Sequence, residues 1–451
     1  MMTFTGRSGL TATICAVASF LCGVALVVHP ACAQQPAPPP GYFDIPAGFD
    51  FPADKQTLEQ FRTSGNLSAQ RAHVWNVFAG MTQSTPDGKF AIFETWFSED
   101  ETFTVGPQPQ ASGPRRVVRR FRLPKQFSPA PGAPVPQAAG TALFSFVLYN
   151  FPGYNHVRTN RFYLSSILDG LQETGNADPK ITNDKVVPAF PAASVVLKTV
   201  WWPIAKDKVT PIPIWDPELN PPRKAGNDFP TWARVVAVDP TKPNVPPNSK
   251  ATVFYLGKQF TDAHVVGLNA FHAVKLDAQT IQLANAAGLD TSAQQTLGRS
   301  LKVGDYLVLV ATHLTTKETD DWVWATLWWH DRPDDGPFAA DRPSNVTGPW
   351  RNYLMSASYD LNLPLESDGK PHVTFNPWLE ARFADQDSAG IKSDGGGTVS
   401  NCMNCHNRAS YPFDVNFKPI KRGNPDLQND PAYAAGRLRP DFLWSLPMDA
   451  Q

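Results

Sequence analysis

Two adjacent apolar segments, residues 305–314 and 321–330, constrain the fold of this chain more than any other feature of its sequence. Both consist mainly of β-branched and aromatic residues, which are enriched in strands. A short polar connection joins them, and this pattern is typical of two antiparallel strands linked as a hairpin. We therefore expect this hairpin to belong to a β-rich core.

The rest of the sequence favours short strands over a helical bundle. The 451 residues include 44 Pro, 13 Trp and 28 Phe, and from Val186 onward short apolar runs alternate with proline turns. Aromatic residues suit strands, and prolines suit the rigid turns between them. Helices are predicted only locally, over residues 55–82, 158–173 and 277–298. We expect a mainly β body, sandwich- or barrel-like, with some helices.

The overall composition argues against several classes of protein. A formal net charge of −1 argues against a dedicated nucleic-acid binder, which usually carries a basic excess. An aromatic fraction of 11% excludes a disordered chain, and five cysteines are too few for a disulfide-stapled scaffold. The length allows two or three domains or one large β-rich unit.

The first 33 residues read as a signal peptide. Arg7 is their only charged residue, an apolar run follows over residues 10–28, and Ala31-Cys32-Ala33 fits a small-x-small cleavage site. A proline-rich linker over residues 34–50 would come next. We expect export to the periplasm of a Gram-negative-type bacterium. Contact with a membrane is expected only if the N-terminal segment stays uncleaved as an anchor.

Removal of the signal peptide would leave only two cysteines, Cys402 and Cys405, because Cys15, Cys22 and Cys32 lie within it. Exported proteins ordinarily pair their cysteines in disulfides. Here both remaining cysteines belong to one short motif, Cys402-Met403-Asn404-Cys405-His406. C-x-x-C-H is the attachment sequence for c-type haem.

The spacing of this motif suits covalent haem attachment. Two thiols three residues apart on a helical turn can reach both vinyl groups of one porphyrin edge, and the next residue can bind the iron. A thioredoxin-like disulfide would need a βαβ context, whereas the flank 395–401 reads as a loop, and a zinc site would need a second ligand pair. We predict one haem c, attached at Cys402 and Cys405 and ligated by His406.

The segment around the motif resembles the haem-binding part of c-type cytochromes, in which the motif lies on a short helix. The resemblance implies a cytochrome c-like haem-binding segment over residues 371–451, after a β-rich body of one or two subdomains over residues 51–370. Thr398 or Ser400 can cap the short helix. Little chain follows His406, so we expect the haem to pack against the preceding body.

A second resemblance extends from about residue 70 to the end of the chain. The run from His313 and Lys317 to Trp322-Val323-Trp324-Ala325-Thr326 and His330, upstream of the C-x-x-C-H, looks like a group of large exported bacterial monohaem proteins described as cytochrome c family members. The resemblance implies a haem protein without specifying its reaction. Leu327-Trp328-Trp329 stands where this group leads us to expect Phe-Glu before the last histidine.

The ligand on the second face of the haem iron stays open. A methionine or histidine there would give a six-coordinate electron carrier, whereas an open position would let the iron bind peroxide or nitric oxide. Trp324, Trp328 and Trp329 are either core residues or a wall of the haem pocket. The candidate ligands are Met448, His313, His73, His330 and His372, with Met355 less favoured, or no residue at all.

The sequence thus predicts a periplasmic c-type cytochrome that transfers single electrons to or from an unknown redox partner protein. The alternative is a haem c enzyme of the peroxidase or oxidase type, or a haem-based ligand sensor, with an open distal site. An apolar distal pocket with Arg332 or Arg342 nearby would favour the enzyme. Arginines crowd residues 115–122, which read as a solvated strand or as a docking patch for an acidic partner.

Overall fold

The computed structural model describes residues 37–106, 121–122, 124, 143–178, 181–219, 232–242, 244–365, 367, 369, 372–381, 400–413 and 436–451. Residues Pro39–Gln451 form one compact unit. The expected signal peptide, the start of the linker after it, the arginines at 115–120 and the flank 395–399 of the motif lie outside the described residues.

Three sheets organise the described strands. The strands are β1 (Phe97–Ser98), β2 (Phe144–Tyr149), β3 (Asn176–Asp178), β4 (Ile181–Val186), β5 (Val195–Ile204), β6 (Thr210–Ile214), β7 (Arg234–Asp239), β8 (Lys250–Tyr255), β9 (Lys258–Gly267), β10 (Ala273–Lys275), β11 (Tyr306–Thr316), β12 (Val323–Trp329), β13 (Tyr353–Ser358) and β14 (Leu438–Arg439). The largest sheet is antiparallel, in the order β1-β2-β5-β11-β12-β13, and β10 also pairs with β11. The orders of the others are β6-β7-β9-β8 and β14-β4-β3.

The predicted hairpin is confirmed as β11 and β12, which lie inside the largest sheet. Their antiparallel register pairs His313 with Thr326 and Thr315 with Trp324. Every residue of β12 is buried, because β11 and β13 cover its edges and other segments cover both of its faces. A strand buried in this way loses the alternation of apolar and polar residues, which explains the continuous apolar run in the sequence.

The period of two along each strand divides this sheet into two faces. We call one the C-terminal face, and it carries Tyr149, Lys198, His313, Thr315, Trp324 and Thr326. We call the other the helix face, and it carries Leu148, Leu197, Leu314, Thr316, Val323, Ala325 and Met355. Which residues of β5 and β11 share a face depends on a register shift between Leu309 and Ala311.

Helices occupy much of the remaining chain. They are α1 (Lys55–Thr63), α2 (Leu67–Met81), α3 (Glu99–Phe103), α4 (Phe151–Thr159), α5 (Ser165–Thr174), α6 (Ala278–Ala286), α7 (Asp290–Leu297), α8 (Pro377–Glu380), α9 (Cys402–His406) and α10 (Ser445–Asp449). Helix α2 packs on the helix face, where His73, Val74 and Val77 line the same gap as Leu314 and Val323. None of the helices in the described ranges is both long and apolar enough to span a membrane.

The predicted helix over 55–82 is divided into α1 and α2. Gly65 adopts a φ of +64° between them, a conformation that few other residues accept. Asn66 then starts the second helix, since its side chain accepts a hydrogen bond from the Ala69 amide at 3.1 Å. A cap of this kind lets the chain change direction without leaving the new helix end unsatisfied.

The expectation of a mainly β body is correct only in part. Antiparallel sheets form the core, but helices and strands contribute similar numbers of residues, so the fold is mixed α/β. In the described chain the largest sheet runs openly from β1 to β13 and is not a closed barrel. Both of its faces are apolar, and helices supply part of the cover that they need.

Candidate functional site

The C-x-x-C-H motif forms one short helix, α9, with Cys402 at its first position and His406 at its last. The side chain of Asn401 caps this helix by accepting a hydrogen bond from the Asn404 amide at 2.7 Å. The expectation that Ser400 caps the helix is therefore wrong: Ser400 is buried directly before the cap, and Thr398, the other expected cap, lies outside the described residues. The helical turn places both thiols and the imidazole within one compact segment.

The two thiols of α9 are free and differ in exposure. Cys402 is buried and Cys405 is half-buried, and they form no disulfide. Burial raises the pKa of the Cys402 thiol well above its usual value. Burial also raises the pKa of Cys405 to about 11, although the Arg408 cation opposes that rise. Both thiols are therefore protonated at neutral pH.

The imidazole of His406 has a defined tautomer. Its Nδ1 lies 2.8 Å from the carbonyl oxygen of Phe442, and a carbonyl can only accept a hydrogen bond, so Nδ1 carries the proton. Among the described residues nothing hydrogen-bonds Nε2, which keeps its lone pair. Burial lowers the pKa of His406 to about 3, so the ring is neutral. Metal-binding histidines show this same arrangement, with the other ring nitrogen bound to a carbonyl or carboxylate.

Three polar side chains from other elements lie around α9. His313 on β11 has its Nε2 atom 3.4 Å from the Glu380 carboxylate at the end of α8. Lys198 on β5 pairs directly with His313 in the register of the sheet. Both His313 and Lys198 add to the lowering of the His406 pKa, while Glu380 adds to the raising of both thiol pKa values. The C-terminal face therefore brings an amine and a second imidazole to the motif, and α8 brings a carboxylate.

One of the three candidate tryptophans borders this site. The indole of Trp324 packs on the imidazole of His406, with ring centroids 4.2 Å apart. Trp328 instead packs on Trp215 and Phe338 in the core. Trp329 stacks on Phe271, with ring centroids 4.1 Å apart. The pocket-wall interpretation therefore suits Trp324 alone of the three.

Two candidate ligands lie on the opposite side of the sheet from α9. His73 on α2 packs on the helix face, where its Nε2 lies 3.0 Å from the buried carboxylate of Glu318. Met355 on β13 is fully buried on that face beside Leu327. The sheet separates both residues from His406, so neither can share an iron atom with it.

His330 also lies away from α9, at the far end of β12. Its position is about 20 Å along the strand from Trp324 at the usual rise per residue. The backbone amide of Arg332 donates to its Nδ1 at 3.0 Å, and Asp331 lies beside the ring. Arg332 itself pairs with Asp216, and Arg342 pairs with Asp334. Neither arginine therefore supports the prediction of an arginine beside an open iron.

The remaining candidates lie on the same side of the sheet as α9. His372 belongs to the segment that leads into α8, and two residues later Thr374 donates its amide to Ser400 at 3.2 Å. Met448 lies on α10, which contacts the C-terminal face through a hydrogen bond between Ser445 and Tyr149. Tyr149 is three strands away from Trp324 in the sheet register, about 14 Å at the usual strand spacing.

The sequence predicted the motif residues but missed some of their neighbours. Lys198 left a signal, because it is the single charged residue within the apolar run of β5. Glu380 left none, since it is one acidic residue among many and reaches the site only through the placement of α8. In the described part of the chain, no three His, Cys, Asp or Glu side chains form a group that could hold a metal ion.

Comparison with known proteins adds no relative: no protein-family model, curated protein or solved structure matches this chain.

Proposed function

We propose that this chain is an exported c-type haem protein that carries one covalent haem and transfers single electrons. The observation that carries the proposal is the combination of two free thiols on one helical turn with an adjacent neutral imidazole. Because Nδ1 of that imidazole carries the proton and donates it to a carbonyl, Nε2 keeps a lone pair that can bind a metal. Cys402 and Cys405 would hold the porphyrin, and His406 would bind its iron.

The state of the thiols favours attachment over thiol–disulfide exchange. Redox-active C-x-x-C pairs lower the pKa of the attacking thiol, whereas burial here raises the pKa of Cys405 to about 11. Thioether formation needs reduced thiols. Each S–H would add across one vinyl group, with a new S–C bond and the thiol hydrogen on the other vinyl carbon, so that the attachment would need no oxidant or reductant.

The surroundings of α9 suit an electron carrier. When bound, haem iron supplies reversible one-electron chemistry at a potential set by its axial ligands and their hydrogen bonds. His406 would hold the iron on one side, while the indole of Trp324 limits rotation of its ring. The Phe442 carbonyl fixes the ring in one tautomer. Few groups near the iron would then have to move when its charge changes.

One observation favours the second candidate function, a haem enzyme or ligand sensor with an open distal site. The Nε2 atom of His313 is buried and makes no hydrogen bond in the described part of the chain, although the Glu380 carboxylate lies 3.4 Å away. An imidazole and a carboxylate beside an open iron could move a proton to or from a bound ligand. If His313 binds the iron instead, the site is closed and the protein is a carrier.

The proposed location and partner follow from the sequence outside the described residues. The leader over residues 1–33 would direct the chain to the periplasm, where c-type haem is attached after export. The partner would be a redox protein with an acidic surface that docks on the arginines at 115–120.

The test is production of the full chain together with the c-haem maturation system. After denaturing electrophoresis we expect haem stain to stay with the wild-type band and to disappear from the C402A/C405A variant. M403A, altered between the two cysteines, is the matched control and should keep the stain. A wild-type band without stain would overturn the proposal.

Carbon monoxide binding by the reduced protein then separates the two candidate functions, because an open distal site binds carbon monoxide rapidly and a closed one does not.

A further inference from the structure

A buried ion pair connects the hairpin to the C-terminal segment. The ammonium of Lys317, just after β11, lies 2.7 Å from the carboxylate of Asp441, and both side chains are less than one tenth exposed. The ammonium also donates to the carbonyl of Asp320 at 2.6 Å and lies over the ring of Trp322. Separating such a pair would leave each charge buried without a partner, which is strongly unfavourable. The pair therefore restricts the positions of both side chains.

Asp441 and Phe442 form an unusual turn. Their φ angles are +48° and +69°, in the left-handed region that residues other than glycine rarely adopt. Besides the ion pair with Lys317, the Asp441 carboxylate accepts a hydrogen bond from the Phe190 amide at 3.2 Å. These contacts fix the carboxylate on both sides and offset the cost of the turn.

This turn aims the carbonyl that fixes His406. The direction of the Phe442 carbonyl depends on the backbone angles of Asp441 and Phe442, and its oxygen accepts from Nδ1 of His406 at 2.8 Å. A continuous path of contacts therefore leads from Lys317 through Asp441 and Phe442 to the imidazole.

We propose that Lys317 is a positioning residue that holds His406 in one orientation and one tautomer through Asp441 and the Phe442 carbonyl. The consequence for haem chemistry rests on the proposed function. A hydrogen bond from Nδ1 makes the imidazole a stronger donor to a metal, which stabilises ferric iron. Loss of the Lys317–Asp441 pair would weaken that bond, and the reduction potential of the haem would rise.

The test compares K317M with K55M in the full chain. Lys55 also forms an ion pair in the same region, with the carboxylate of Asp320, but both side chains of that pair are exposed. Imidazole ¹⁵N spectra of the chain made without haem report the tautomer of His406, and voltammetry of the haem-loaded chain reports its potential. We expect K317M to lose the single Nδ1-protonated tautomer and to raise the potential, whereas K55M should match the wild type in both.

A folded K317M with wild-type tautomer and potential would overturn the inference. If K317M fails to fold, D441N provides the second variant, because it removes the charge while keeping an oxygen for the Phe190 amide. It should show the same two changes, and wild-type values in D441N would equally overturn the inference. A wild-type chain without covalent haem would overturn the proposed function alone, since the tautomer measurement does not need haem.

Discussion

The indole of Trp324 and the imidazole of His406 lie with their ring centroids 4.2 Å apart and their planes tilted by 40°. Trp324 is buried on β12, the strand that the sequence predicts most clearly, and His406 ends the helix that carries the motif. The contact thus joins the core of the fold to the candidate haem site. Changes to the indole should affect both stability and the site.

W324A is expected to lower the free energy of unfolding by about 3–5 kcal/mol, because it leaves a cavity against the His406 ring. W324A should also shift the reduction potential of the haem-loaded chain, since the His406 ring loses the indole that packs on it. W329A is the matched control, because Trp329 stacks on Phe271 away from the motif. W329A should lower the free energy of unfolding, measured in urea, by a similar amount and leave the reduction potential unchanged. Equal potential shifts in both variants would contradict this role for Trp324.

Mutation of the distal candidates gives the second prediction. His313 lies on the same face as α9, beside Glu380, so H313A should convert the reduced protein to a form that binds carbon monoxide rapidly. M448A should keep the slow binding of the wild type, because Met448 lies on α10 near β2. Stopped-flow absorbance measures both rates. Rapid binding in M448A but not in H313A would assign the ligand to Met448 instead.

The register of strands explains why the sequence could not separate these candidates. The histidines at 313 and 330 share one hairpin that pattern alone predicted, yet whether β11 turns His313 toward α9 depends on its pairing with β5 and on the shift near Leu309. His73 lies on a helix whose apolar spacing was readable in the sequence. Only its packing against the helix face places it behind the sheet.

Local signals predicted the short helix of the motif, because a single helical turn needs only neighbours in sequence. Cys402, Cys405 and His406 share this short helix, although Asn401 caps it and not Ser400. Glu380 and the Phe442 carbonyl reach the motif from distant positions in the chain. Such contacts depend on tertiary packing, which periodicity and spacing do not encode.

Thiol reactivity gives the third prediction. Because burial raises the pKa of Cys405 to about 11, little thiolate is present in the folded chain without haem at pH 7. Alkylation by iodoacetamide should therefore be slow and should accelerate as the pH approaches 11, whereas the urea-unfolded chain should accelerate near the ordinary thiol pKa of about 8.5. Mass spectrometry follows the modification. Rapid labelling of the folded chain at pH 7 would instead favour a redox-active pair.

Acid stability gives the fourth prediction, at the other end of the sheet. Burial opposes ionisation of Asp331, but hydrogen bonds and the charge of Arg234 outweigh it and lower the pKa of the carboxyl from 3.8 to about 2. A lowered folded pKa stabilises the fold above about pH 4, and this contribution disappears as the pH falls toward 2. The shift corresponds to about 2 kcal/mol.

D331N removes this titration and leaves Arg234 without one buried partner. Urea unfolding should find the variant less stable than the wild type at pH 7, with the difference shrinking between pH 4 and pH 2. D262N is the matched control, because Asp262 pairs with Lys250 on the exposed surface. A difference between D331N and wild type that stays constant down to pH 2 would contradict the lowered pKa.

Intact mass spectrometry under denaturing conditions, after coexpression with the c-haem maturation system, tests most directly whether this chain carries one covalent haem on Cys402 and Cys405. We predict a mass equal to the chain without residues 1–33 plus one haem, and the bare polypeptide mass for C402A/C405A. A wild-type chain with the bare polypeptide mass would contradict the claim.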